Sequence, residues 1–132
     1  MQVKLFTDYA IRIVLYVAEC NDIVPSIEIS RKLNIPQSIV LKIGNKLKHS
    51  GILAPLAGIQ GGLRLKKRPE DITLMDIVVQ FENSTKLSKC LDEKHADKYG
   101  ENNRAVRRFY EDLQMTFDEK FRDTTIGTLL EA

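Results

Sequence analysis

Gln37, Ser38, Lys42 and Lys46 stand at helical spacing in one stretch of this 132-residue chain. Side chains of these types contact nucleic acid. Glutamine pairs adenine through two hydrogen bonds, serine bonds a base edge or a phosphate, and lysine neutralises phosphate charge. A second basic group, Arg64, Lys66, Lys67 and Arg68, follows the glycine-rich run Gly58-x-x-Gly61-Gly62. The remaining reactive side chains are two thiols, Cys20 and Cys90, and two imidazoles, His49 and His95. Neither histidine has a recognisable nucleophile partner. The chain contains no Gly-x-Ser-x-Gly elbow, no Gly-x-x-x-x-Gly-Lys phosphate loop and no His-Glu-x-x-His. Its glycine run leads into a strand, so it offers no helix N-terminus to a nucleotide phosphate. An enzyme is not expected.

Charge distribution points the same way. The net charge is only +2. Residues 1–70, however, carry 11 Lys+Arg against 5 Asp+Glu, and residues 71–132 carry 9 against 13. A basic half joined to an acidic half suggests that the first meets a polyanion. With 43% hydrophobic and 29% charged residues, the composition suits a globular domain. No apolar run approaches the roughly 20 residues of a membrane span, and the first residues do not read as a secretory signal. Two widely spaced cysteines make no disulfide framework, so a cytoplasmic, reducing setting without membrane contact is expected.

The elements that must position these residues follow from periodicity. A first helix is expected over residues 7–20, capped by Thr7, stapled by Phe6, and buried through Tyr9, Ala10, Ile13, Val17 and Cys20. In that reading Cys20 is a core thiol, and residues 21–25 form a break. A short helix over 26–33 and a second over 37–49, separated by Asn34, Ile35 and Pro36, make a helix-turn-helix. Val40, Ile43 and Leu47 form the buried stripe of the second. Residues 52–56 and 63–67 read as the arms of a hairpin with its turn at 57–62. Thr73, with Asp76, opens a fourth helix through a capping box. Residues 82–103 are polar and aperiodic, and an amphipathic helix resumes near Arg104. A short end piece lies around 125–130. The fold class is mainly α, a winged helix-turn-helix with a two-stranded wing and a long C-terminal helix for dimerisation.

These pieces together resemble the Rrf2 family of bacterial transcription regulators. The resemblance rests on Phe6-Thr7-Asp8-Tyr9-Ala10-Ile11-Arg12, the helix beginning Pro36-Gln37-Ser38-Ile39, Ser50-Gly51-Ile52-Leu53, the Gly58-x-x-Gly61-Gly62-x-x-Leu65 wing, and Ile72-Thr73-Leu74-x-Asp76-Ile77. It is close over residues 1–81 and architectural beyond. The resemblance implies a homodimer on DNA, with a DNA-binding domain at 1–81, a sensor-type loop at 82–103, and a dimerisation helix with tail at 104–132. Many members hold an iron–sulfur cluster on three cysteines of that loop. Here Cys90 stands at the first position, but Ala96 and Asn102 lie near the other two. The usual cluster is therefore not expected. Ala57 stands where many members carry an arginine leading into the wing.

Gln37, Ser38, Ile39 and Lys42 are expected to face DNA from the recognition helix, with Ile39 or Leu41 against a thymine methyl. Lys42, Lys46 and Lys48 are phosphate contacts at best. Gln60 and Ile59 at the wing tip, with Arg64 behind, suit the minor groove, and Lys4 is a further phosphate contact. Cys90, beside Lys86, Lys89 and Lys94, is an inert loop cysteine, a redox-sensing thiol, or one ligand of an unusual cluster. His95, and Asp8 offered from a partner subunit as some family members do, would complete such a cluster. The simpler role for Asp8 is to face its own helix dipole. Val106, Phe109, Leu113, Phe117 and Phe121 need a second surface, which a symmetric copy supplies. The function expected is a dimeric regulator, a repressor of redox, iron–sulfur, sulfur or related genes, on double-stranded pseudo-palindromic DNA. A protein or small-molecule effector would act on the loop. The alternative is a protein- or RNA-interaction module built on a winged helix, without sensing.

Overall fold

The computed structural model describes residues 2–56, 62–91 and 104–132. The wing tip with Ala57, Ile59 and Gln60 lies outside the described residues, as does His95 in the loop. Helix α1 (Leu5–Cys20) is the central element, and Ala10, Ile13, Val14 and Val17 on one side of it are sealed from solvent. It begins at Leu5, before the expected Thr7 cap. Thr7 is instead buried, and its hydroxyl donates to Glu82 Oε2. The Lys4 amide donates to the same oxygen at 3.1 Å. A carboxylate from a distant segment thus supplies the negative partner that the helix N-terminus requires.

Asn21 ends α1 in the left-handed region at φ 52° and is followed by a strand, β1 (Val24–Pro25), where the sequence reads only as a break. Helices α2 (Ser26–Leu33) and α3 (Gln37–His49) form the helix-turn-helix. Asn34, at φ 55°, closes α2. The turn is pinned at Ser30, whose carbonyl accepts the Ile35 amide while its hydroxyl donates to the Ile35 carbonyl.

The wing arms pair as expected. Leu53 faces Leu65 in an antiparallel bridge. The Ala54 amide donates to the Arg64 carbonyl at 2.8 Å, and the Lys66 amide to the Ile52 carbonyl at 3.0 Å. The return arm also pairs on its other edge, where β2 (Gly62–Leu63) runs antiparallel to β1 with Val24 opposite Leu63. The basic arm is therefore held from both sides.

A 3-10 turn at Pro69–Asp71 leads to α4 (Leu74–Phe81), opened by the Thr73–Asp76 capping box. After the loop, α5 (Arg104–Asp123) packs on α4, and α6 (Ile126–Leu130) returns to α1. The Leu74 amide donates to the Thr124 carbonyl, the Ile126 amide to the Ile72 carbonyl, and Ile126 is fully buried in the main core.

Candidate nucleic-acid interface

Helix α3 buries Val40, Ile43, Gly44 and Leu47 and leaves Gln37, Ser38, Leu41, Lys42 and Asn45 exposed. Residues on that outer side recur at three and four positions, so they form one stripe. No side chain caps the first turn, and the Ile39 and Val40 amides both donate to the Pro36 carbonyl, at 3.0 and 3.1 Å. Gln37 Nε2 donates to Ser26 Oγ at 3.1 Å. One of its two N–H groups is used in this way. The other, with Oε1, retains the donor–acceptor pair that adenine requires.

Ile39 is half-buried and packs against the core, so its side chain serves the fold as well as the outer surface. Leu41, 37% exposed, is the more open of the two apolar residues considered for a thymine methyl. Lys46 turns away from the stripe, its ammonium 5.1 Å from the centroid of the Phe81 ring on α4. That cation–π contact holds the recognition helix to the end of α4.

Arg64 is exposed and forms no ion pair among the described residues. It borders a cleft of about 420 Å³ with Asn21, Asp22, Lys66 and Lys67. Arg68, in the same run, is committed elsewhere: its guanidinium meets Asp71 at 3.0 Å and Glu70 at 3.5 Å. The Asp71 hydrogen bond, with the charges of both acids, raises its already high pKa. The Lys4 side chain is exposed beside the start of α1.

The two thiols exchange the places expected of them. Cys20 is exposed, because it occupies the last turn of α1, past the point where the core covers that face. Cys90 is buried, because residues 85–90 are folded against α5. Gln114, only 6% exposed, accepts the Leu87 amide at 2.7 Å and donates to the Thr85 carbonyl at 2.7 Å. Arg107 Nη1 donates to the Cys90 carbonyl at 2.7 Å. The Ser88 hydroxyl donates to Cys90 Sγ at 3.3 Å.

Asp8, half-buried, is paired with the exposed Arg12 at 2.8 Å. Among the described residues, no three His, Cys, Asp or Glu side chains are placed to hold a metal ion. A cluster held by three thiolates does not fit this chain, whose two cysteines sit on different elements.

Near Cys20, Tyr16 donates to Glu28 Oε2 at 2.8 Å, tying α1 to α2. That bond raises the phenol's pKa, and burial and Cys20 add to the effect.

On α5, Val106, Phe109, Leu113 and Phe117 are exposed, Phe109 by 61%. Phe121, half-buried, lies 6.2 Å from Phe117 between ring centroids. These residues share a side of the helix next to the one that Gln114 and Arg107 turn toward the loop. No helix among the described residues is long and apolar enough to cross a membrane.

Comparison with known proteins agrees with this architecture. A sequence model of the Rrf2 family, described as an iron-dependent transcriptional regulator, matches residues 3–132. A candidate HTH-type transcriptional regulator of Aquifex aeolicus is 30% identical over 131 residues, spanning 96% of this chain and 91% of that protein. The HTH-type transcriptional regulator NsrR of Halalkalibacterium halodurans is 31% identical over 96 residues, 71% of this chain and 66% of its own length. The structure of CymR, the global cysteine regulator of B. subtilis, superposes with a TM-score of 0.82 at 19% identity, covering 98% of this chain and 95% of that one. The chain belongs to the Rrf2 family of transcriptional regulators.

Proposed function

We propose that this regulator represses transcription as a homodimer on a pseudo-palindromic operator. In this reading α3 lies in the major groove with Gln37 and Ser38 at base edges and Lys42 on phosphate. The wing, with Gln60 at its tip and Arg64 behind, reaches the adjacent minor groove, and Lys4 adds a phosphate contact. The observation that carries the reading is the exposed polar stripe of α3 together with an exposed Arg64 that has no ion-pair partner among the described residues. Specific contacts come from the stripe, and salt-dependent affinity comes from the cations.

The α5 stripe of Val106, Phe109, Leu113, Phe117 and Phe121 supplies the surface for the second copy. Two-fold pairing would set the recognition helices about one DNA turn apart. Regulatory input is assigned to the segment after α4, because Glu82 joins it to α1 and Gln114 and Arg107 join it to α5. The input is a redox change, a metabolite or a partner protein, and a three-thiolate cluster is not involved.

The test is a gel shift with the DNA upstream of the protein's own gene. Arg64→Ala or Gln37→Ala should weaken the specific complex by about 1–3 kcal/mol where the residue replaced reads a base. Unchanged affinity in both variants would refute this placement of the site.

A further inference from the structure

The outer stripe of α3 contains a residue that neither the fold nor the expected contacts account for. Asn45 is exposed, two turns beyond Ser38 and one turn beyond Leu41, and forms no hydrogen bond among the described residues. Asparagine is a poorer helix former than alanine, so its presence in mid-helix brings the fold nothing. Its neighbours define the direction it faces. The buried side of α3 is fixed by Val40, Ile43, Gly44 and Leu47, and Lys46 is drawn toward Phe81. The side opposite the buried one is therefore centred on Ser38, Lys42 and Asn45, with Leu41 at its margin.

We propose that Asn45 is a specificity-determining residue that reads an A·T pair in the major groove. Its planar amide offers one acceptor to adenine N6–H and one donor to adenine N7, the pairing that asparagine geometry matches. Leu41, 37% exposed on the preceding turn, lies against the thymine methyl of the same or the adjoining pair. An exposed leucine flanked on the outer stripe by Ser38, Lys42 and Asn45 suits that methyl. Gln37 and Ser38 then read the outer base pairs of each half-site. Asn45 and Leu41 read the pairs that face the next turns of the helix. The inference rests on the groove-reading account above.

The experiment uses the full chain and a duplex that the wild-type protein selects from a randomised pool. Each adenine of that duplex is replaced in turn by 7-deazaadenine, which removes only the N7 acceptor. The wild type should lose roughly 5- to 150-fold in affinity at one adenine per half-site, the equivalent of about 1–3 kcal/mol. Asn45→Ala should bind more weakly by a similar factor and be indifferent to that replacement. Leu41→Ala should likewise become indifferent to uracil in place of one thymine.

If Asn45→Ala keeps the wild-type sensitivity at every adenine, the proposal is overturned. A uniform loss on all duplexes with a shallower salt dependence also overturns it, placing Asn45 on a phosphate. If the wild type itself enriches no sequence, the groove-reading account falls, and Asn45 falls with it. That failure lies in the wild type and is distinct from a failure of the variant.

Discussion

A Cβ placed on Gly44 of the recognition helix would lie 2.8 Å from Leu63 Cδ2 of the wing's return arm. Leu63 is 1% exposed and paired with Val24, so it has little room to yield. The glycine lets the two candidate DNA-reading elements approach each other directly and sets their relative position. Gly44→Ala should therefore destabilise the fold by about 1–3 kcal/mol through overpacking, offset by up to about 1 kcal/mol of helix propensity. Urea unfolding measures the balance. A double-mutant cycle with Leu63→Ala should show less than additive loss, since the smaller side chain removes the clash. Strict additivity would contradict the packing argument.

Gln114 stands in for a strand partner to residues 85–87. Gln114→Ala leaves a half-buried amide and carbonyl without partners, at a cost of about 1–3 kcal/mol. Hydrogen exchange at the Leu87 amide should accelerate in the variant while amides of α1 keep their protection. Unchanged exchange at Leu87 would mean the loop is held by other contacts.

Some of this arrangement is legible in the sequence, and the rest depends on contacts between distant segments. The bounds of α2 and α3 coincide with the periodic reading because Asn34 and Pro36 punctuate them locally. The Thr73–Asp76 box is equally local. By contrast, β1 is two residues long and becomes a strand only by pairing with Gly62 and Leu63. The start of α1 depends on Glu82, far away in the chain. Cys20 keeps the period of Ile13 and Val17 but lies beyond the core, whereas Cys90 is covered only because Gln114 and Arg107 draw its segment onto α5. At the interface, Gln37 and Arg64 stand out by residue type. Asn45 does not, because a lone polar residue on a helix reads as solvated until the buried face is located.

The Tyr16–Glu28 bond makes a pH prediction. The phenol's pKa is raised by the folded state above its usual value of about 10. A raised value contributes stability that is fully present below the unfolded pKa and lost as pH rises through the folded one. Wild-type thermal stability should therefore fall above about pH 10 more steeply than that of Tyr16→Phe. Parallel pH profiles for the two proteins would exclude the Tyr16–Glu28 tie as a source of stability.

The apolar stripe of α5 predicts an oligomer. Phe109→Asp or Leu113→Asp should convert a dimer to a monomer in sedimentation equilibrium, with little change in helicity because both positions are exposed. A monomeric wild type, or an undisturbed dimer in both variants, would move the interface elsewhere.

The central claim is that α3 and the wing read DNA sequence. Its most direct test is fluorescence anisotropy of wild-type protein on a duplex it has selected and on a scrambled duplex, across a salt series. Specific binding should be on the order of 10³-fold or more tighter than scrambled binding. Both affinities should fall with salt on a logarithmic scale, and Arg64→Ala should flatten that slope by about one unit if it meets a phosphate, or narrow the discrimination if it meets a base. Equal affinity for the two duplexes at every salt concentration would contradict the account.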